Sequence, residues 1–298
     1  MEDRPASLLA RLKNISREKG IPFQQTLNLY CQEEFIRRLS KSRFKDKLIL
    51  KGGFLLYSLS GFETRPTVDA DYLLRYYDND ENSINVMVNE IFDIKTENDF
   101  MKFEIRSSEK INEIKEYNGT RISILGSIGN TKTPFSIDFG VGDYVVPMPV
   151  ERSISVILQG DEIPNILTYS LESTIAEKLD AIIALGPLTS RMKDFYDIYY
   201  LSLTYSFDGN ELKTAIKSTL DTRKRKLSSE SLEMVKGLRK NEKILTYWEK
   251  FCSNVLQEKL DFSLVLNIIV GFVEPLIKSI IIDSEFKKIW LNDKRAYG

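Results

Sequence analysis

Apolar residues first recur in steps of three and four, through Leu27, Tyr30, Cys31, Phe35 and Leu39. That is the period of a helix with one buried face, and residues 6–47 read as two or three helices. The pattern then shortens. Leu48-Ile49-Leu50 reads as a buried strand, Lys51-Gly52-Gly53 as a turn, and Phe54 to Leu59 as a new helix. Gly61 to Pro66 is a loop, and Thr67 to Leu74 is expected to be a strand. Residues 79–98 are polar with a helical stripe at Ile84, Met87, Val88 and Ile91, whereas Phe100–Ile105, Thr120–Leu125 and Phe135–Val141 alternate as strands do. From Ser170 onward the period is helical again. Thr174-x-x-Glu177 has the spacing of a capping box, Ile175, Ala176, Leu179, Ile182 and Ile183 share a face, and Gly186-Pro187 stops the helix. The next helix, Ser190–Leu203, turns Met192, Phe195, Tyr196 and Tyr199 inward, with Asp194 and Asp197 flanking the opposite face. Further helices are expected near 211–220, 228–236, 241–257 and 261–282.

This order predicts an α+β protein. Residues 1–165 would form one domain, with a helical lead over 1–47 and a mixed sheet with helices over 48–165. Residues 166–298 would form a helical C-terminal domain. With 298 residues, two domains are the natural division.

Composition narrows the chemistry. There is no histidine, which excludes a Ser-His-Asp triad, a Cys-His pair and a histidine base. Metal ligands would then be oxygens, favouring magnesium, manganese or calcium over zinc. Cys31 and Cys252 lie far apart without metal spacing and read as buried thiols of a reducing cytoplasm. With 42 basic and 43 acidic residues, bulk charge does not point to nucleic acid, so any such contact must come from local patches. The N-terminus lacks an apolar signal core. The apolar run Leu264–Val273 is broken by Asn267 and followed by Glu274, Pro275 and Lys278, so a buried helix is expected there and no membrane span.

On a strand, residues two apart share a face, so Thr67, Asp69, Asp71 and Leu73 would line one side and Val68, Ala70 and Tyr72 the other. Two neighbouring carboxylates repel unless water or a divalent cation screens them. Asp138, between small Ser136 and Gly140, is a natural third ligand on another strand. The Gly52-Gly53 turn after an apolar strand suits a phosphate at a helix N-terminus, although the Walker spacing is absent. A solvated carboxylate pair remains the plain alternative for Asp69 and Asp71.

The segments Arg37–Ser42, Leu50-Lys-Gly-Gly53, Arg65-Pro-Thr-Val-Asp-Ala-Asp71, Tyr117-Asn-Gly-Thr-Arg-Ile122, Ile137–Asp143, Ala176–Ala181 and Ser190–Asp197, in this order, resemble the AbiEii/AbiGii toxin family of nucleotidyltransferases with its MenT-like members. The resemblance implies a DNA polymerase β-like nucleotidyltransferase fold. It implies that Gly52 and Gly53 cradle a triphosphate beside Lys51, and that Asp69 and Asp71 bind Mg2+ or Mn2+ with Asp138 as third carboxylate. Lys178 would contact triphosphate oxygens, Asp194 would be required for activity, and Arg65 and Arg191 would contact phosphate. A serine often follows the first glycine in the wider superfamily, and Gly53 departs from that pattern. The helix pattern alone places Lys178 at a margin, where lysines usually snorkel, and it does not choose between Asp194 and Asp197.

The resemblance further implies NTP as donor, the 3′ end of RNA, typically tRNA, as acceptor, and an AbiEi-type antitoxin as partner. Transfer to a protein or small molecule, and a non-catalytic nucleotide- or RNA-binding module, are the alternatives. Arg223-Lys224-Arg225-Lys226 is the conspicuous basic run and a candidate RNA contact, or else a solvated helix end. Arg37, Arg38, Lys41, Arg43 and Lys45 form a second basic stretch.

Overall fold

The computed structural model describes residues 3–67, 69–113 and 117–298. It divides into two compact units, Met1–Gly142 with Val150–Thr168, and Asp143–Pro149 with Tyr169–Gly298.

The first unit opens with α1 (Arg4–Glu18) and α2 (Phe23–Lys41), then β1 (Leu48–Lys51), α3 (Gly52–Leu59), β2 (Ala70–Leu74) and α4 (Glu81–Phe92). It continues with β3 (Met101–Glu113), β4 (Tyr117–Ile128), β5 (Thr131–Gly140), β6 (Val150–Ser153) and β7 (Asn165–Thr168). Among the described residues these strands form one mixed sheet in the order β3-β4-β5-β2-β1-β7-β6. Strands β2 and β5 are parallel, and β1–β2 and β4–β5 are antiparallel. The β4–β5 hairpin closes through Gly129 and Asn130, with Gly129 at φ +57. A two-residue hairpin turn demands that left-handed conformation. Its tightness sets the register of every pair along β4 and β5.

The core lies between the sheet and α2. Phe35 meets Tyr72 and Phe92 edge-on at 5.8 and 6.2 Å. The stretch read as basic is largely part of this core. Arg37 and Arg38 are buried with Glu33 and Glu34. Arg37 pairs with Glu34 and, at 2.5 Å, with Glu33; Arg38 pairs with Glu34 at 2.9 Å. Arg38 also donates to the carbonyls of Phe92 (2.6 Å) and Met101 (2.9 Å), and the Ile157 amide donates to Glu33 (2.6 Å). A buried charge is tolerable only when paired and hydrogen-bonded, and here the pairing ties α2 to two loops.

Three expectations change. Strand β2 begins at Ala70 rather than Thr67, so Thr67 and Asp69 precede it, and Val68 lies outside the described residues. Strands β3 and β4 run longer than their apolar alternation suggests. The capping box at Thr174 is not one. The helix it was meant to start, α5 (Leu171–Leu185), is capped by Ser170, whose hydroxyl accepts from the Ser173 amide, while the Thr174 hydroxyl donates to the Ser170 carbonyl.

The second unit is mainly helical: α5, α6 (Met192–Thr204), β8 (Phe207–Asp208), α7 (Gly209–Thr222), α8 (Ser229–Gly237), α9 (Glu242–Phe251), α10 (Phe262–Ile281), β9 (Ile289–Leu291) and β10 (Ala296–Tyr297). Helix α5 stops at Gly186, whose φ of +50 turns the chain before Pro187. The expected 241–257 helix is interrupted, since residues 252–256 form a π-turn ending at Gln257 with φ +56. By length and composition α10 could cross a membrane. Within this unit it instead packs on α6, α7 and α8, burying Val265, Ile269, Phe272 and Leu276.

Candidate active site

In the first unit the hairpin register and the parallel β2–β5 pairing build a row across the sheet. Arg121 of β4 stands opposite Asp138 of β5, Asp138 opposite Asp71 of β2, and Asp71 opposite Lys51 of β1. Directly paired residues share a sheet face. The row therefore reads cation, carboxylate, carboxylate, cation on one face. Arg121 grips Asp138 with both prongs of its fork, Nε to Oδ1 at 2.7 Å and a terminal nitrogen to Oδ2 at 2.6 Å. Asp138 is 8% exposed. The guanidinium is pushed further above its ordinary pKa by the hydrogen bonds to Asp138, and then by the charges of Asp138, Asp69 and Asp71, which outweigh its desolvation. Arg121 is thus permanently cationic.

The glycine turn meets this row. Gly52 opens α3 with φ +70, and a Cβ there would run into the Asp71 carboxylate. Glycine is required on both counts: the left-handed backbone and the close approach. A Cβ on Gly53 would lie 2.7 Å from the Thr67 hydroxyl oxygen and 3.4 Å from a guanidinium nitrogen of Arg65, which is itself buried. The Thr67 hydroxyl also donates to the Asp69 carbonyl at 3.3 Å, holding the chain where it enters β2. The Lys51 ammonium lies 3.9 Å from where a Cβ on Gly140 would stand, so small Gly140 leaves it room beside β5. The first unit therefore gathers Lys51, Gly52, Gly53, Arg65, Asp71 and Asp138 around the N-terminus of α3, with partly exposed Asp69 two residues before Asp71.

Do these residues suit a divalent cation? Among the described residues no three Asp, Glu, His or Cys side chains form a ready cage. A carboxylate pair beside a phosphate cradle is nevertheless the kind of set magnesium takes, because it completes its shell with water and substrate phosphates. Asp69 and Asp71 fit that description; both oxygens of Asp138 are engaged by Arg121.

The second unit assembles another cluster. Lys178 on α5 is buried, with its ammonium 2.5 Å from Asp197 and 3.2 Å from Asp194 on α6. Arg191 donates its Nε–H to Asp194 at 2.6 Å. Asp194 and Asp197 are buried, which corrects their expected placement opposite the apolar face. The helical period that places Phe195, Ile198 and Leu201 inside brings Asp194 and Asp197 in on the margin of that face. Lys178 likewise is no snorkelling surface lysine. Asp197 is a partner that sequence reasoning left unassigned.

The basic run divides. Arg223 and Arg225 both clasp buried Asp180, at 2.7 and 2.5 Å, and Arg223 also lies 4.0 Å from Asp143. Lys224 and Lys226 are exposed.

A mixed sheet bearing paired carboxylates next to a glycine turn that opens a helix is the arrangement that the resemblance to nucleotidyltransferases implies. The family model for the nucleotidyl transferase AbiEii toxin of type IV toxin–antitoxin systems matches residues 34–268, and the chain belongs to that family. Among solved structures it is similar to JHP933 from Helicobacter pylori, with a TM-score of 0.50 at 12% identity over 87% of this chain and 96% of that one. A second Helicobacter pylori structure, this one attributed to a nucleotidyltransferase, gives a TM-score of 0.46 at 12% identity over 86% of this chain and 95% of that one. No curated protein matches the chain. At such identity the likeness to JHP933 concerns the fold alone; the family model carries the activity class.

Proposed function

We propose that this toxin transfers a nucleotide from an NTP to the 3′-hydroxyl of RNA, with the 3′ end of tRNA as acceptor, and so blocks translation. The hydroxyl attacks the α-phosphorus in line and pyrophosphate leaves. The observation that carries this reading is the Asp71 carboxylate set against Gly52 at the opening of α3. It puts a metal-type carboxylate beside the backbone amides that would receive phosphate. In the reading, Gly52 and Gly53 cradle the triphosphate while Lys51 and Arg65 neutralise it. Asp69 and Asp71 hold Mg2+, or Mn2+ in its place. When bound, that ion would offset charge developing on the phosphates. Most of the rate would come from positioning and electrostatics, as suits a chain without histidine.

The family resemblance, and not the geometry, assigns Lys178, Asp194 and Arg191 to the same reaction. It also implies an AbiEi-type antitoxin as partner, and the buried free thiols Cys31 and Cys252 suit the cytoplasm as the site of action. Lys224 and Lys226 are the members of the basic run with open surface for RNA phosphates. The test is to incubate the protein with total RNA and each labelled NTP in magnesium and sequence the labelled 3′ ends. The expected result is labelled tRNA, lost with Asp69→Ala together with growth inhibition. Label in protein or small molecules instead of RNA would replace the acceptor, and toxicity that survives Asp69→Ala would end the enzymatic reading.

A further inference from the structure

Lys47 precedes β1 and Arg75 follows β2, and the Arg75 amide donates to the Lys47 carbonyl at 2.9 Å, so the β1–β2 pairing sets the two residues side by side. Both reach the ring of Tyr76. The Lys47 ammonium lies 5.7 Å from the ring centroid and the Arg75 guanidinium carbon 4.8 Å, and an Arg75 nitrogen donates to the Tyr76 hydroxyl at 2.7 Å. The next residue turns the other way: Tyr77 is half-buried, and its ring meets that of buried Phe44 edge-on at 5.6 Å. Tyr76 itself is 76% exposed, with φ at +52. Glycine or asparagine is the ordinary choice for such a left-handed turn position. A bulky residue there is strained, and strain of this kind gathers at ligand clamps and switch regions. Exposed to water, contacts between a ring and a cation add little to stability, so they do not explain why the chain keeps a tyrosine here.

The charges around the ring suit an anion. Among the described residues neither Lys47 nor Arg75 pairs with a carboxylate, and their contacts are with Tyr76. Earlier in the same stretch, by contrast, Lys41 is held by Glu162 at 2.6 Å and Arg43 by Glu90 at 2.7 Å. An open aromatic face beside such cations is how proteins hold single-stranded nucleic acid without regard to sequence: a base stacks on the ring and the cations take the flanking phosphates. The patch lies at the opposite end of β1 and β2 from Gly52 and Asp71. Lys47 and Lys51 are separated by four residues of extended chain, roughly 13 Å, so a ligand on Tyr76 is distinct from a triphosphate at α3. We propose that Lys47, Arg75 and Tyr76 form a docking site for the acceptor RNA away from its reacting 3′ end, with Tyr76 stacking on an unpaired base and the two cations holding its phosphates. This rests on RNA being the acceptor.

Binding of fluorescein-labelled tRNA to the full chain without NTP, read by fluorescence anisotropy over a range of salt, tests the site apart from turnover. Tyr76→Gly relieves the backbone and removes the ring; it should weaken binding about tenfold without lowering the melting temperature. Tyr76→Phe keeps the stacking face and should bind within about twofold of the wild type. Lys47→Gln/Arg75→Gln should weaken binding and flatten the slope of log affinity against log salt by about 1.4, two phosphate contacts at about 0.7 each. Wild-type affinity in both Tyr76→Gly and the double variant would overturn the inference, and label transferred to RNA by the wild type would leave the acceptor reading standing. A Tyr76→Gly chain that melts lower yet binds tRNA as the wild type does would make the ring a structural clamp and overturn it equally. No tRNA binding by the wild type overturns the inference alone if label still enters RNA, and removes the acceptor reading with it if none does. Should the double variant fail to fold by circular dichroism, Tyr76→Gly and Tyr76→Phe decide the matter.

Discussion

Replacing Lys178 by Met isolates the second unit's charge cluster. Methionine has nearly the length of the lysine stem, so little cavity results, and the change is one of charge. With Lys178 present, two cations (Lys178, Arg191) face two carboxylates (Asp194, Asp197). Without it Arg191 still holds Asp194, and Asp197 loses its 2.5 Å contact with the ammonium. The Lys178 side chain is only 10% exposed, and those of Asp194 and Asp197 are 0% and 3% exposed, so water cannot take its place. Breaking a buried pair by removing one partner costs about 3–5 kcal/mol. Lys178→Met/Asp197→Asn restores the balance of charge and should recover more than half of that. Both tryptophans of the chain, Trp248 and Trp290, belong to this unit, so their fluorescence in urea follows its unfolding. A loss below about 1 kcal/mol for Lys178→Met, the range of an exposed pair, would refute the buried cluster. The double variant also separates fold from chemistry. If Lys178 contacts triphosphate, it stays inactive although refolded; activity that returns with stability would make Lys178 a structural residue.

Gly52→Ala forces a side chain into a left-handed backbone and into the Asp71 carboxylate; it should cost about 1–2 kcal/mol from the backbone alone and lower NTP affinity more than tenfold, and unchanged affinity by equilibrium dialysis would detach Gly52 from the cradle. Glu33 is pushed up to about 7, since its burial outweighs the attraction of Arg37. Unfolded, it releases its proton near 4.5, so the folded chain binds more protons between the two values and stability falls as pH rises from about 4.5 to 7. Glu33→Gln should flatten that limb of the melting temperature against pH, and a limb equally steep in the variant would exclude Glu33 as its source.

Much of the site was legible along the chain because it rests on short-range pattern. The apolar run before Lys51, the glycine pair and the carboxylates Asp69 and Asp71 lie close together in the chain, so the β1–β2 pairing alone brings Asp71 against Gly52. Arg121 was also within reach. A two-residue turn at Gly129-Asn130 pairs Ile128 with Thr131, and counting back from there sets Arg121 opposite Asp138. Alternation alone does not reveal that β4 and β5 form one tight hairpin. Arg37, Arg38, Lys178, Asp194 and Asp197 were misplaced for a different reason. Hydrophobic periodicity treats every charge as a surface residue, whereas oppositely charged residues on adjoining turns or helices can enter the core together. Neither the partner of Lys178 on α6 nor that of Arg223 on α5 is visible until those helices are packed.

The near-neutral balance of the chain says little about its fitness for an anionic substrate, because so many of its charges cancel in pairs away from the sheet row. Arg37, Arg38, Arg223 and Arg225 are engaged by glutamate or aspartate inside their own units. Around α3 the accounting is local: Lys51, Arg65 and Arg121 against Asp69, Asp71 and Asp138. The buried Arg65 stands over Gly53, and Arg121 cancels Asp138. That leaves a strongly polar cradle whose carboxylate charge is concentrated at the entry to β2. In the proposed reading, a divalent cation there would turn the cradle net positive, so that a triphosphate could enter it without any basic patch on the surface. Which guanidinium faces which carboxylate is a property of strand register that no sum over the composition contains.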